Sequence, residues 1–308
     1  MASEAWPKIA VLGAGAVGCY FGGMLARAGA PVKLIGRPYH VEAMGRDGLW
    51  LESMHFQERV SVGVSTSVDS VGDAAVVLLC VKTLDTEEAA RSLAPHLGSD
   101  AIVVSLQNGV DNVERIRNAA GFEAIPAVVY VAAAMTGPGR VKHSGRGDLI
   151  VGDPWGSCGE VVHHVARLFT RAGVPCVVSD NIQGALWTKL IMNCAYNAIS
   201  ALGRAKYGTI VQDPLVRDVL RRVVEETVAV ASAAGVRIAN QSLVESVFQL
   251  GVAMSQAISS TAQDLTRGKR TEIDSLNGYV VRRGAEVGIA TPLNQTLHAL
   301  VKLLEQAV

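Results

Sequence analysis

The stretch "KIAVLGAGAVGCYFGGMLARAGAPVKLIGR", residues 8–37, decides the fold. A short apolar run from Ile9 to Leu12 ends in a glycine turn, an Ala/Leu-rich helical stretch follows, and a second apolar run, "VKLI", closes the unit. Strand, helix and strand in that order predict a βαβ unit, and with it a parallel sheet. At the turn, Gly13-Ala14-Gly15-Ala16-Val17-Gly18 fits the spacing GxGxxG. The first glycine permits the tight turn, the second lets a pyrophosphate approach the backbone, and the third brings helix and sheet together. The helix N-terminus adds N–H groups and the positive end of its dipole. A glycine-rich turn alone is common, but inside a βαβ unit these six residues point to dinucleotide binding.

At the end of the second strand an acidic residue would hold an adenine-ribose hydroxyl, yet the chain has Leu34-Ile35-Gly36-Arg37. A cation there suits a 2′-phosphate, which predicts NADPH/NADP+ rather than NAD, with Arg37 as the reader. That Arg37 is only a solvated loop residue stays open. Further apolar runs lie at Ala74–Lys82, Ala101–Leu106 and Ala124–Ala133. Their continuous apolar character suits strands buried on both faces. Two of them end in polar residues, Val81-Lys82-Thr83 and Gln107-Asn108-Gly109, at the carboxyl edge where an α/β sheet places its ligands. Singly, a loop lysine and an Asn-Gly turn are ordinary. As a pair at neighbouring strand ends, Lys82 and Asn108 become candidates beside the cofactor.

"VKHSGRGDLIVGD", residues 141–153, reads as a hairpin with "SGRGD" as its turn. A helix over 159–173 and a strand over 174–179 follow. Beyond Asp180 strand-like runs stop and helical patterns continue to the end. The boundary is therefore expected near residue 180, between a sheet domain, 1–180, and an all-helical domain, 181–308.

With 308 residues the chain is long enough for two cores. Its 49% hydrophobic content and zero net charge argue against nucleic acid or an anionic membrane as partner. Cys19, Cys80, Cys158, Cys176 and Cys194 show neither CxxC spacing nor metal-ligand neighbours. They read as small buried hydrophobes in a reducing cytosol, and no metal site is expected. "MASEAWPK" lacks the basic-then-apolar order of a signal peptide. No apolar run reaches the roughly 18 residues of a membrane span. A cytoplasmic protein is the expectation; a homodimer stays open.

The second telling stretch is "ALWTKLIMNCAYNAISAL", residues 185–202. Positions four apart on a helix drift by only about 40°, so Lys189, Asn193 and Asn197 share one narrow face. The following helical run, "LVRDVLRRVVEETVAVA", uses Arg, Asp and Glu for its polar face. Two asparagines instead cost on the order of half a kcal/mol each against Ala. Amides and one ammonium among Leu, Ile, Met and Ala suit a half-buried cleft, although a plain exposed face is the alternative. A substrate carbonyl or carboxylate would find three donors there, and if a hydride reaches a ketone carbon, Lys189 is a suitable general acid. A further polar cluster holds Ser259 and Ser260, then Thr271-Glu272-Ile273-Asp274. The latter resembles the start of the helix that carries Asn277, and capping by Thr271 and Asp274 with Glu272 as a first-turn acid is the plain alternative to a role in the site.

Together "VLGAGAVG", "VKTLD", "QNGVDN", "LWTKLIMNCAYNAISAL" and "TEIDSLNGYVVRRG" resemble the ketopantoate reductase (2-dehydropantoate 2-reductase) family over nearly the whole chain. The resemblance implies an α/β fold, an N-terminal Rossmann-type doubly wound parallel sheet followed by an all-α C-terminal domain, with the active site in the cleft between them. It implies NADPH-dependent reduction of a small 2-oxo acid, ketopantoate first. Lys189 would be the proton donor and Glu272 the carboxylate that orients it and contacts substrate. Asn193 and Asn197 would hold the oxo acid's oxygens, Ser260 its carboxylate, and Lys82 and Asn108 would lie beside the nicotinamide ribose. The chain departs from the family pattern at Ala257-Ile258-Ser259 and at Tyr207-Gly208, where asparagines are frequent. Those departures are expected to remove polar contacts, which leaves a different 2-oxo acid open. A β-hydroxyacid or opine-type dehydrogenase is the main alternative; the β-hydroxyacid group tends to space its lysine and asparagine by three, against four here. A non-catalytic NADPH sensor would have no reason to keep Lys189, Asn193, Asn197 and Glu272 together.

Overall fold

A computed structural model describes residues 5–154, 159–239 and 242–307. The chain divides into two compact units, Met1–Ile182 and Gln183–Val308, with the break at the start of a long helix. The first unit opens as βαβ, with β1 (Ile9–Leu12), α1 (Ala16–Arg27) and β2 (Val32–Ile35). It continues through α2 (Pro38–Asp47), β3 (Leu49–Glu52), β4 (Gln57–Val60), β5 (Gly63–Ser65) and β6 (Val76–Leu79). Then come α3 (Thr86–Leu93), β7 (Ile102–Ser105), α4 (Asn112–Ala120), β8 (Ile125–Gly137), β9 (Arg140–Val151), α5 (Glu160–Arg171) and β10 (Cys176–Val178).

The strands form one sheet in the order β4-β3-β9-β8-β7-β6-β1-β2-β5, with β10 paired to β9. From β8 to β5 every pairing is parallel. Side chains alternate between its faces. Ile9, Val11, Val76 and Leu78 pack on one side with Phe21 of α1 and Phe169 of α5. Ala10, Val77, Leu79 and Val103 pack on the other, with Ala90 and Leu93 of α3 and Ile116 of α4. Helices on both faces explain why the strand sequences are apolar throughout rather than alternating. The chain runs from β1 outward to β2 and β5, then crosses back to β6 and β7. The order reverses between β1 and β6, and a doubly wound sheet binds its ligand outside the carboxyl ends of the strands at such a reversal.

The hairpin differs from expectation. Its strands are β8 and β9, antiparallel, and the chain turns between them at Pro138-Gly139. "SGRGD" lies inside β9, opposite two register shifts at Tyr130/Val131 and Ala132/Ala133. Gly147 has φ 129°, and a side chain there would run into Tyr20 of α1 and His143. The glycine thus serves an irregularity in a strand rather than a turn. Strands β3, β4 and β5 fall where no continuous apolar run marks them. β4, "QERV", is an edge strand whose Glu58 pairs with Arg27 at 2.8 Å and whose Arg59 donates to the Asp47 carbonyl at 2.7 Å.

The second unit is helical among its described residues: α6 (Ile182–Gly203), α7 (Tyr207–Gln212), α8 (Pro214–Ala233), α9 (Leu243–Ala253), α10 (Ser260–Thr266), α11 (Asn277–Val287) and α12 (Pro292–Gln306). Ile191, Ala195 and Tyr196 of α6 pack with Leu220 and Val224 of α8 and Leu243 and Val247 of α9. Helix α8 starts on the Asp213 carboxylate, which accepts from the Leu215 and Val216 N–H groups at 2.8 and 3.1 Å, with Pro214 at the first helical position. Its polar face carries surface ion pairs, Arg221–Glu225 at 2.8 Å and Arg222–Asp218 at 2.7 Å. No described helix is long and apolar enough to cross a membrane.

Candidate active site

In the first unit the glycine turn sits at the strand-order reversal. Gly13 has φ 109°, and a Cβ there would lie 2.7 Å from the Cys80 carbonyl carbon and 2.8 Å from the Val81 nitrogen. The turn after β1 therefore leans on the peptide that leads from β6 to Lys82. At Gly18 a Cβ would meet Val11 Cγ1 at 2.9 Å, so the missing side chain lets α1 close on β1. Gly15 differs: it is exposed, its φ is −88°, and nothing lies within 4 Å of a Cβ built on it. The protein's own packing gives no reason for glycine there, whereas a phosphate approaching the backbone does. No side-chain cap closes the first turn of α1, which leaves its N–H groups directed at that space. Arg37, exposed, follows β2 on the same edge of the sheet. These residues fit a dinucleotide's pyrophosphate and a further anionic group.

The loops after β6 and β7 are stapled together below their candidate residues. Thr83 Oγ1 and Asn112 Nδ2 both donate to the Asn108 carbonyl, at 2.8 and 2.6 Å. Gln107 Nε2 donates to the Val81 carbonyl at 3.2 Å and to Thr86 Oγ1 at 2.8 Å, while Gln107 Oε1 accepts from Ser105 Oγ at 2.9 Å. Thr83, Thr86, Gln107 and Asn112 are all buried, so these bonds are at least partly shielded from competing water. Lys82, exposed, and half-buried Asn108 are brought together on this base. Sequence reasoning singled out those two and missed the buried amides and hydroxyls beneath them. The available signal was the run of polar side chains directly after apolar strands.

In the second unit Lys189, Asn193 and Asn197 lie on one unbroken helix, α6. Lys189 and Asn193 are half-buried, and Asn197 is only 4% exposed. Their helix neighbours Leu190, Ile191, Cys194, Ala195 and Tyr196 are buried, so the stripe is set among apolar packing. Tyr207 does not simply remove a polar contact, as the sequence suggested. Its hydroxyl donates to Asn197 Oδ1 over a long 3.4 Å, and its ring stacks on Tyr196 with centroids 4.3 Å apart. Burial pushes the Tyr207 phenol well above its ordinary value, which keeps the hydroxyl protonated. Ser259 is the capping serine of α10, accepting from the Ala262 N–H at 3.1 Å and donating to the Asn197 carbonyl at 3.0 Å. Its exposed neighbour Ser260 is set beside the end of the stripe.

The segment from Thr271 to Asn277 also departs from expectation. Thr271 and Glu272 precede a single 3-10 turn, Ile273–Ser275, and α11 begins only at Asn277. Thr271 keeps a cap-like bond, its Oγ1 accepting from the Ile273 N–H at 3.2 Å. Asp274 is engaged elsewhere, accepting from His298 Nε2 at 2.7 Å and from Lys302 Nζ at 2.9 Å. Burial pushes its carboxyl up, but those two bonds more than offset that and hold it below the ordinary range. Glu272 is buried, at 7% exposure. Asn277 Nδ2 donates to the Cys194 carbonyl of α6 at 3.2 Å, and the Tyr279 and Trp187 rings meet at 5.8 Å. The Glu272 segment thus lies along the helix that carries Lys189.

Cys19, Cys80, Cys176 and Cys194 are free thiols; burial pushes each up, Cys19 and Cys176 to about 12, which makes them poor nucleophiles. Cys158 lies outside the described residues. Among the described residues no group of His, Cys, Asp and Glu is placed to hold a metal ion.

Two family models match the chain: "Ketopantoate reductase PanE/ApbA" over residues 9–155, and its C-terminal counterpart over residues 181–305. The chain belongs to the ketopantoate reductase family. A 2-dehydropantoate 2-reductase of Pyrococcus horikoshii is 35% identical over 97% of this chain and 97% of its own length. Another from Halobacterium salinarum is 36% identical, covering 97% and 99%. The solved structure of a PanE/ApbA family ketopantoate reductase from Ralstonia eutropha superposes with a TM-score of 0.92 at 49% identity, over 97% of this chain and 99% of that one. The family is one of oxidoreductases, and its fold is the one described above, a mostly parallel sheet unit followed by a helical one.

Proposed function

We propose that this ketopantoate reductase family member is an NADPH-dependent 2-oxo acid reductase whose first substrate is ketopantoate, reduced to pantoate. The relatives' names give that substrate to them. The observation that carries the proposal here is the α6 stripe, an ammonium and two amides on an otherwise apolar helix, with the Glu272 segment tied to it at Cys194. Residues 1–180 serve the cofactor and residues 181–308 the substrate. Gly13, Ala14, Gly15, Ala16, Val17 and Gly18 cradle the pyrophosphate, Arg37 pairs with the 2′-phosphate, and Lys82 and Asn108 flank the nicotinamide ribose.

When bound, the nicotinamide supplies a hydride to C2 of the oxo acid. Asn193 and Asn197 donate to the acid's oxygens and Ser260 to its carboxylate, which orients the carbonyl. Lys189 Nζ gives its proton to the C2 oxygen as negative charge grows there, leaving a 2-hydroxy acid. Glu272 orients the ammonium and contacts the substrate. A positioned general acid of this kind is worth about 10² to 10⁴ in rate.

The test is NADPH consumption with ketopantoate by the parent protein and by Lys189→Ala. The substitution should lower kcat by at least about a hundredfold while the NADPH Kd stays within about twofold. Unchanged turnover refutes the proton-donor role. A parent that binds NADPH but turns over no small branched 2-oxo acid is a binding protein instead.

A further inference from the structure

Glu272 sits outside any α-helix, with φ −97° and ψ 20°, at the start of the 3-10 turn, where its carbonyl accepts from the Ser275 N–H at 2.9 Å. Beyond this turn, the residues on either side of Glu272 are tied to α12. Upstream, the Thr271 N–H and the Thr271 hydroxyl both donate to Glu305 Oε1, at 2.7 and 2.6 Å. Downstream, the Asp274 carboxylate takes His298 Nε2 on one oxygen and Lys302 Nζ on the other, at 2.7 and 2.9 Å. Lys302 closes the loop by pairing with Glu305 Oε2 at 2.7 Å. Residues 298, 302 and 305 recur at helical spacing on one face of α12. The fit extends to Gly278, where a Cβ would lie 2.8 Å from His298 Nε2.

Helix α12 is itself held. The Glu226 carboxylate of α8 accepts from the Leu293 and Asn294 N–H groups at 2.8 and 3.0 Å, at the start of α12. Asn294 Oδ1 accepts from Asn277 Nδ2 at 3.0 Å, and that same amide reaches α6 at Cys194. A continuous set of hydrogen bonds therefore joins the helix bearing Lys189, the start of α11 and α12.

We propose that Glu305, with Thr271, Lys302 and His298, is a positioning residue that sets the Glu272 carboxylate, acting through the backbone on both sides of it. The proposal rests on the reading that Glu272 serves the reduction. Its side chain is nearly buried, and the bonds from Lys302 and Thr271 outweigh burial to hold the Glu305 carboxyl below its ordinary value, so it is the ionised hub of the cluster.

The experiment compares Glu305→Ala, Glu305→Gln, Thr271→Val and Glu272→Gln by steady-state kinetics with NADPH and ketopantoate, alongside Tm and NADPH Kd. Glu305→Ala should lower kcat roughly tenfold to a hundredfold, the scale of a misplaced reacting group, with NADPH Kd within about twofold. Glu305→Gln, whose amide oxygen still accepts from Thr271, should recover most of that loss. Thr271→Val, which keeps the N–H bond and loses the hydroxyl, should fall between. If Glu305→Ala does not fold, the other two α12-contact variants decide. A lowered Tm with kcat per folded molecule within about twofold of the parent in these variants means the cluster only stabilises the fold, and overturns the proposal. If Glu272→Gln itself leaves kcat unchanged, the role of Glu272 fails and the proposal with it. If Glu272→Gln is impaired while the α12-contact variants are not, only the positioning role fails.

Discussion

Gly13 and Gly15 stand two positions apart and answer to different demands. Gly13 is required by the fold, through its positive φ and its contact with the Cys80–Val81 peptide. Gly15 meets nothing of the protein within 4 Å of a built Cβ. Gly13→Ala should therefore lower Tm, since backbone strain of this kind costs about 1–3 kcal/mol before any clash is counted. Gly15→Ala should leave Tm within about 2 °C of the parent and raise the NADPH Kd about tenfold, or about 1.4 kcal/mol. Equal Tm losses in the two variants would sink the distinction. Arg37 offers a parallel test. Charge-assisted bonds to a phosphate contribute about 1.5–3 kcal/mol, so Arg37→Ala should weaken NADPH roughly tenfold or more and leave NADH unchanged. Equal weakening of both cofactors would mean that Arg37 does not read the 2′-phosphate.

Among the elements, α12 carries a pH signature. Glu305 and Asp274 are held below their ordinary values of 4.5 and 3.8. Each lowered carboxylate contributes stability that is present above its ordinary value and lost as pH falls through the lowered one. Lys302 is raised above its ordinary 10.5, first by its bond to Glu305, so its contribution is present below that value and lost as pH rises through the raised one. The Tm difference between the parent and Lys302→Met should be flat from about pH 5 to 10 and close on either side. A difference that persists unchanged at pH 3 would show that the ion pairs contribute nothing. None of this was legible in "TEID", because the partners of Thr271 and Asp274 lie 24 to 34 residues further on. The β1-α1-β2 unit, in contrast, was legible in full, since its signals are local: apolar runs, a glycine turn and an Ala/Leu helix. The β8–β9 turn was misplaced for the opposite reason. Gly147 answers to Tyr20, a residue far earlier in the chain, and turn chemistry alone gives no hint of that.

At the scale of the whole molecule, the two units were visible as a change from strand-like to helical patterning, and the chain divides at Ile182/Gln183. Asn193 and Asn197 stood out because amides are unusual among apolar helix neighbours. Gln107, Thr83 and Thr86 did not, because a polar residue just past a strand reads as exposed until its buried partner is known. The sheet has a consequence of another kind at its edges. One edge is β4, with Gln57, Glu58 and Arg59 in four residues and its charges tied back to Arg27 and to the Asp47 carbonyl. The others are β5 and β10, each only three residues long. Long, flat, apolar edges are templates on which further chains add, and short or charged ones are poor templates. A ten-stranded sheet with so apolar an interior thus presents edges on which a neighbouring chain adds poorly.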